Sequence, residues 1–391
     1  MQTAFGTIVA KRELPYARVL AASLAEHQPE SPFLVLLADE VEGCFDPASE
    51  PFELLTLAEL RIPNAERLRF LHRRLPLSYA STPYFLSALL ERGFESVVFL
   101  KQETLVLGKQ TPLLEALSQA PIVLTPHLLA PLPGPDGHGR ELNILQSGTF
   151  NCGVVGLRDS STARRFLAWW QDRVFAHCAH AVADGMHYEQ RWLDLVPAYF
   201  RDAHVLRDRG TNIGHWNLPE RSGEAPRILR FSGFDPERPE EVTRYSGRVR
   251  MDELGSFAGR FAAYAQALRE ARWDEAQAWP YAYDRFANGV PIPTLARDLY
   301  AKLGDNAERF GDPFSTGARS FYGWLNERVA PARRVTRLWL AVWRLRADLR
   351  AAFPDPLRRD EDAFAHWIEL SGVVEHELDA AFLPGPVGDV P

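Results

Sequence analysis

Short apolar runs alternate with helix-like segments through the first half of this 391-residue chain, and that alternation limits its possible folds more than any other feature. Phe5 to Ala10 reads as a strand, a helix opens near Pro15, and Phe33 to Ala38 reads as the next strand, ending at Asp39. Proline suits a first helical turn, where its amide nitrogen has no intrahelical partner to lose. Ala17, Leu20, Ala21 and Leu24 then recur at helical spacing. Pro83 to Arg92 predicts a helix, Ser96 to Leu100 a buried strand, Thr111 to Ser118 a helix and Ile122 to Thr125 another strand. Elements in this order predict an α/β fold with a parallel sheet and right-handed crossovers. Ligands of such sheets sit outside the carboxyl ends of strands, which makes Lys101, Gln102 and Glu103, directly after Leu100, site candidates.

The second half changes character. After about Arg248 the pattern is helical, with Phe257, Phe261, Ala265 and Leu268 at three- and four-residue steps, and later Val335, Leu338, Val342, Leu345 and Leu349. The chain is longer than one hydrophobic core usually covers, so a division near 247 and 248 into an α/β domain and a helical one is expected. Ala130 to Arg140 is rich in proline and glycine and reads as a mobile loop or lid. Pro384 to Pro391 reads as a frayed tail.

Composition excludes several function classes. A net charge of -7 argues against duplex nucleic acid as a partner. Cys44, Cys152 and Cys178 are odd in number and lack metal-ligand spacing, which points to free thiols and a cytoplasmic setting. No apolar stretch reaches the ~18 to 20 residues of a membrane span, so membrane contact is expected to be peripheral at most. His177, Cys178, His180 and His187 match no zinc pattern and continue the end of an amphipathic helix carrying Phe166, Trp169, Trp170 and Val174. Trp216 and Asn217 either line an acceptor site or belong to core and turn. A helix from about Pro331 to Ala352 carries several arginines, which fit a solvated face or a docking surface.

Six motifs occur in order: Thr7-Ile8-Val9-Ala10-Lys11, Leu37-Ala38-Asp39-Glu40, Leu124-Thr125-Pro126-His127, Phe150-Asn151-Cys152-Gly153, Glu189-Gln190-Arg191-Trp192 and Phe231-Ser232-Gly233. On these, roughly residues 3 to 245 resemble bacterial GT-A-fold glycosyltransferases related to glycosyltransferase family 8, and the helical remainder resembles the accessory module of such enzymes. The resemblance implies a GT-A-like, Rossmann-type nucleotide-sugar-binding domain over 1–247 and an α-helical accessory domain over 248–391. It implies transfer of a hexose-like sugar from a nucleotide-sugar donor to a hydroxyl of a glycan, lipid-linked glycan, protein or small molecule. Retention of anomeric configuration is favoured over inversion. Thr7 and Ala10 would meet the nucleoside, Asn151 and Gly233 would help bind the donor, and Glu189 and Gln190 would stand near the reacting sugar carbon as the catalytic pair.

The departures from the family are chemical. Its Asp-x-Asp metal motif falls on Lys101-Gln102-Glu103, and its histidine metal ligand falls on Arg230. Carboxylates and an imidazole suit Mn²⁺ or Mg²⁺, whereas an ammonium repels a cation and a guanidinium offers no lone pair. One lysine and one arginine nevertheless keep the positive charge that a leaving diphosphate needs. The expectation is therefore no metal and no other cofactor, with Lys101 and Arg230 on the diphosphate and Glu103 orienting Lys101 or a sugar hydroxyl. Other readings stay open: a relative that binds a nucleotide, glycan or partner protein without catalysis, an enzyme moving a different group, and a degenerate site with solvated side chains at these positions.

Overall fold

In the computed structural model, residues 2–221 and 223–383 are described; Pro384 to Pro391, expected as a tail, lie outside them. The strands are β1 (Thr3–Val9), β2 (Phe33–Leu37), β3 (Glu53–Thr56), β4 (Ser96–Leu100), β5 (Thr104–Val106), β6 (Ile122–Pro126), β7 (Phe150–Arg158), β8 (His180–Ala181), β9 (Met186–His187), β10 (Ala203–Val205) and β11 (Ile228–Arg230). Seven of them form one sheet in the order β10-β6-β7-β4-β1-β2-β3. The helix Leu14–His27 joins β1 to its parallel neighbour β2, with Pro15 in its first turn. The fold is mixed α/β, as the GT-A-like expectation has it.

The sheet is not wholly parallel. β1 to β4 run one way, and so do β6 and β10, but β7 is antiparallel to both β4 and β6. β7 is buried over Phe150 to Leu157, so no alternation of polar and apolar residues marks its faces, whichever way it points. Its reversal matters for the site, because the start of β7 then lies beside the carboxyl end of β4, with Leu100 opposite Val154.

Two helix boundaries differ from expectation. The helix before β4 spans Arg74–Glu91, with Pro83 inside it and not at its start. Pro83 cannot donate to the carbonyl of Tyr79, and the surrounding burial of Leu77, Phe85, Leu86 and Leu89 holds the helix together across it. The loop expected to run to Arg140 ends at Asp136, where a helix Gly137–Ser147 begins despite glycines at 137 and 139.

The chain separates into two compact units, residues 1–62 with 74–281, and residues 63–73 with 282–391. The division therefore falls at 281 and not at 247. The helix Ala258–Glu270 belongs to the first unit because its Phe261, Tyr264 and Leu268 share a core with Tyr16 and Val19 of the helix Leu14–His27. Phe231, just beyond β11, stacks on Tyr264 with ring centroids 3.8 Å apart. In the second unit Phe70, from a short helix Ala65–Leu71, packs against Phe286, Tyr300 and Phe321. The arginine-bearing helix expected over 331–352 is two helices, Arg337–Leu345 and Ala347–Ala352, separated by an extended Arg346. Two of its arginines are matched on the surface, Arg337 by Glu327 at 2.8 Å and Arg346 by Asp348 at 2.6 Å. Among the described residues no helix is long and apolar enough to cross a membrane.

Phe231→Ala removes the ring on which Tyr264 stacks and should destabilise the first unit by about 3 to 5 kcal/mol. Urea unfolding followed by tryptophan fluorescence would measure this. A loss below about 1 kcal/mol would mean that residues after 247 do not share this core.

Candidate active site

The carboxyl end of β4 meets the start of β7 at one rim of the sheet. The amide of Lys101 donates to the carbonyl of Gly153 at 3.0 Å, and the amide of Phe231 donates to the carbonyl of Glu103 at 2.8 Å. β5 pairs antiparallel with β11, setting Arg230 opposite Thr104. Two cationic residues distant in sequence are thereby brought to one place.

Asn151 organises that place. Its Oδ1 accepts from the Gly153 amide at 2.8 Å, from Asn212 Nδ2 at 3.3 Å and from Arg230 Nη1 at 3.3 Å. Its Nδ2 donates to His127 Nε2 at 2.9 Å, while His127 Nδ1 faces the carbonyl of Thr149 at 3.3 Å. That arrangement requires a neutral His127 with its proton on Nδ1. Burial, partly opposed by the Thr149 carbonyl, pulls the His127 pKa down from 6.5 to about 3. Gly153 is needed for a steric reason: a side chain starting there would lie 1.3 Å from Arg230 Nη1. The Asn-x-Gly motif is thus the seat of the Arg230 guanidinium.

Each cation has a carboxylate, but not the one expected. Lys101 Nζ lies 2.8 Å from Glu189 Oε1 and 3.9 Å from the centre of the Tyr79 ring. Burial works to lower the Lys101 pKa, but Glu189 and Tyr79 outweigh it and leave it raised. Glu103, expected to orient Lys101 or a sugar hydroxyl, faces Arg230 at 3.6 Å and not Lys101, because the β5 and β11 register sets it beside that residue. Burial pulls the Arg230 pKa down and Glu103 offsets part of the effect. Gln190 is committed at both ends of its amide, accepting from the Cys152 amide at 2.9 Å and donating to the Ser147 carbonyl at 3.0 Å. It ties the start of β7 to the helix Gly137–Ser147.

These residues line a cleft of about 590 Å³, within the ordinary range of ligand sites. Lys101, Glu103, Asn151, Glu189, Gln190 and Arg230 all contribute to it. Thr7, Ala10 and Gly233 do not. Thr7 and Ala10 are fully buried, and beside them Lys11 and Arg12 are tied down, Lys11 to Asp39 at 3.5 Å and Arg12 to Gln277 at 3.0 Å. Gly233 instead forms a turn with φ +75°, against Thr243 and Tyr245. The sequence reading missed Tyr79, Arg140 and Arg248, which also line the cleft. Tyr79 lies in the helix Arg74–Glu91 ahead of Pro83, where the sequence predicts no helix, and Arg140 lies in the helix Gly137–Ser147, where the sequence predicts a loop.

The donor set does not fit a divalent cation. Lys101 and Arg230 have no lone pair to give, and Glu103 is engaged with Arg230. Among the described residues no group of three or more His, Cys, Asp and Glu is arranged to hold a metal. His180 and His187 lie with their Nδ1 atoms 3.1 Å apart as a pair.

No protein-family model matches the chain. It is 24% identical over 223 residues to the uncharacterized protein YfnF of Bacillus subtilis (strain 168), covering 56% of this chain and 73% of YfnF. It is also 24% identical over 313 residues to YfnD of the same organism, covering 75% of this chain and 95% of YfnD. Among solved structures, the galactosyltransferase LgtC with donor and acceptor sugar analogs aligns over 68% of this chain and 95% of its own, at 13% identity and a TM-score of 0.42. The glycosyltransferase GlyE of Streptococcus pneumoniae TIGR4 aligns over 73% of this chain and 67% of its own, at 14% identity and a TM-score of 0.42.

Two outcomes follow from the geometry. Gly153→Ala should evict Arg230 from its seat and break its pairing with Glu103, at a cost of about 3 to 5 kcal/mol; unfolding in urea within 1 kcal/mol of the wild type would contradict the seat. The second concerns pH. His127 and His215, whose pKa burial and the neighbouring Arg230 and Arg140 pull down to about 4, stay neutral in the folded chain while the unfolded chain takes up protons near pH 6.5. Stability should therefore be full above that pH and fall on the order of a few kcal/mol between about pH 6.5 and 4. His127→Gln should flatten the fall, and a wild type equally stable at pH 7 and 4.5 would contradict it.

Proposed function

We propose that the chain is a glycosyltransferase that moves a hexose-like sugar from a nucleotide-sugar donor to an acceptor hydroxyl without a metal ion. Lys101 and Arg230 receive the donor diphosphate. The observation that carries the reading is the convergence of these two cations, one half-buried and one buried and distant from each other in the sequence, at the carboxyl end of β4 in a cleft of ligand size. A diphosphate leaving group gathers negative charge as the glycosidic bond breaks, and preformed donors at that spot stabilise it without reorganisation. Arginine matches phosphate oxygens with paired donors, and lysine adds a point charge.

In this reading the bond from the sugar's anomeric carbon to the diphosphate oxygen breaks, its electron pair goes to that oxygen, and the acceptor oxygen bonds to the carbon. The acceptor's proton passes to the leaving phosphate, which stands on the same face and so favours retention. The incoming diphosphate displaces Glu103 and Glu189 from their cations. Glu189 Oε1 faces Lys101, and its Oε2 has no hydrogen-bond partner among the described residues, which leaves it acceptor capacity for a sugar hydroxyl. Gln190 positions the start of β7. Donor base, sugar and acceptor are chosen by the remaining lining residues.

The same pairing favours a second reading, a relative that binds ligand without transferring sugar, since each cation already has its carboxylate and Thr7 and Ala10 are withheld from the cleft. Thermal unfolding with UDP-, GDP-, dTDP-, CMP- and ADP-linked sugars, each with Mn²⁺ and with EDTA, tests the proposal. One donor should raise the midpoint equally in both, by the equivalent of ~2.7 kcal/mol at 100 times its dissociation constant. Lys101→Gln should weaken that donor by about 1.5 to 3 kcal/mol. A shift seen only with Mn²⁺ would overturn metal independence, and donor binding without hydrolysis or transfer would favour the second reading.

A further inference from the structure

The free positive charge of the cleft is not at Lys101 and Arg230. Arg140 and Arg248 also line it, and among the described residues neither has a carboxylate partner. Arg140 Nη2 donates to the carbonyl of Trp216 at 3.0 Å. The Arg248 guanidinium lies over Gly139, the residue before Arg140, with Nη2 and Nη1 at 3.6 and 3.8 Å from where a side chain there would begin. Arg140 thus stands in the first turn of the helix Gly137–Ser147, and the Arg248 guanidinium lies against the same turn. Trp216 is itself buried and lines the cleft, and its Nε1 has no hydrogen-bond partner among the described residues. The carboxylate next in sequence, Glu141, is occupied by the Leu132 amide at 2.7 Å.

The side chains of Arg140, Arg248 and Trp216 are donors only: two guanidinium forks and an indole N–H, none of which accepts. A sugar hydroxyl both donates and accepts, whereas a phosphate or carboxylate only accepts. We infer that Arg140, Arg248 and Trp216 form a second anion subsite of the cleft, which holds a phosphate or carboxylate group of the acceptor. The inference rests on the proposal that the donor diphosphate occupies Lys101 and Arg230, and it makes the acceptor an acidic molecule.

The test is calorimetric titration of the full chain in EDTA with inorganic phosphate, glucuronate and nucleoside diphosphates, using wild type, Arg140→Ala/Arg248→Ala, Trp216→Phe and Lys101→Gln. Expected is at least a tenfold loss of phosphate or glucuronate affinity in the double variant and a several-fold loss in Trp216→Phe, which keeps an aromatic ring there but lacks the N–H. Nucleoside diphosphate binding should stay within twofold in both, and Lys101→Gln should keep the small anion. Tighter phosphate assigns a phosphorylated acceptor, and tighter glucuronate an acidic sugar. Unchanged anion affinity in the double variant would overturn the subsite. So would a parallel loss of nucleoside diphosphate, which would give these arginines to the donor. A wild type that binds the small anion through Arg140 and Arg248 but no nucleotide would sink the transferase reading and leave the subsite standing.

Discussion

The contact on which the site depends is the Arg230 guanidinium lying on the backbone of Gly153 with Asn151 Oδ1 at 3.3 Å. A buried guanidinium needs its charge met and its donors satisfied, or its desolvation costs several kcal/mol. Asn151 provides one acceptor, Glu103 provides the opposite charge, and the absence of a side chain at 153 provides the space. Asn151 is in turn fixed by His127, whose neutrality comes from its burial. This chain of dependencies passes through β7, so the reversed strand at the middle of the sheet is what allows a lysine after β4 and an arginine at the end of β11 to share a rim.

Around that seat the charges are arranged in two sets. Arg230 is buried and Lys101 half-buried, and each is matched by a carboxylate, which lets the cleft hold them without large cost. Arg140 and Arg248 are less buried and unmatched by any described carboxylate. Counting the lining side chains, four cations face two carboxylates, Glu103 and Glu189, so the cleft keeps an excess of positive charge although the whole chain is acidic at -7. Local potential and net charge have opposite signs here, and an anionic substrate responds to the local one.

Much of this was legible in the sequence. Alternating apolar runs located β1, β2, β4 and β6, and the residues after Leu100 were found by position alone. Lys101, Glu103, Asn151, Glu189, Gln190 and Arg230 do gather. What the residues could not tell was their pairing. Glu103 and Lys101 are two apart and look like partners, but their contacts are decided by which strands lie next to them, a matter of register between distant segments. The direction of β7 was hidden because a buried strand has the same pattern both ways. The boundary at 281 was hidden because a helical pattern shows that a helix forms and not which core its apolar side joins.

The central claim, that Lys101 and Arg230 replace a metal at the diphosphate, is most directly tested at the lysine ammonium itself. Lys11, Lys101, Lys109 and Lys302 are the chain's four lysines, so ¹⁵N labelling of lysine alone gives a spectrum in which Lys101→Gln assigns the one signal in question. On titration with the nucleoside diphosphate of the preferred donor in EDTA, the Lys101 Nζ resonance should move with ligand and saturate with it, as the ammonium exchanges Glu189 for phosphate. A Lys101 signal that stays in place at saturation, or that moves only after Mn²⁺ is added, would contradict the account.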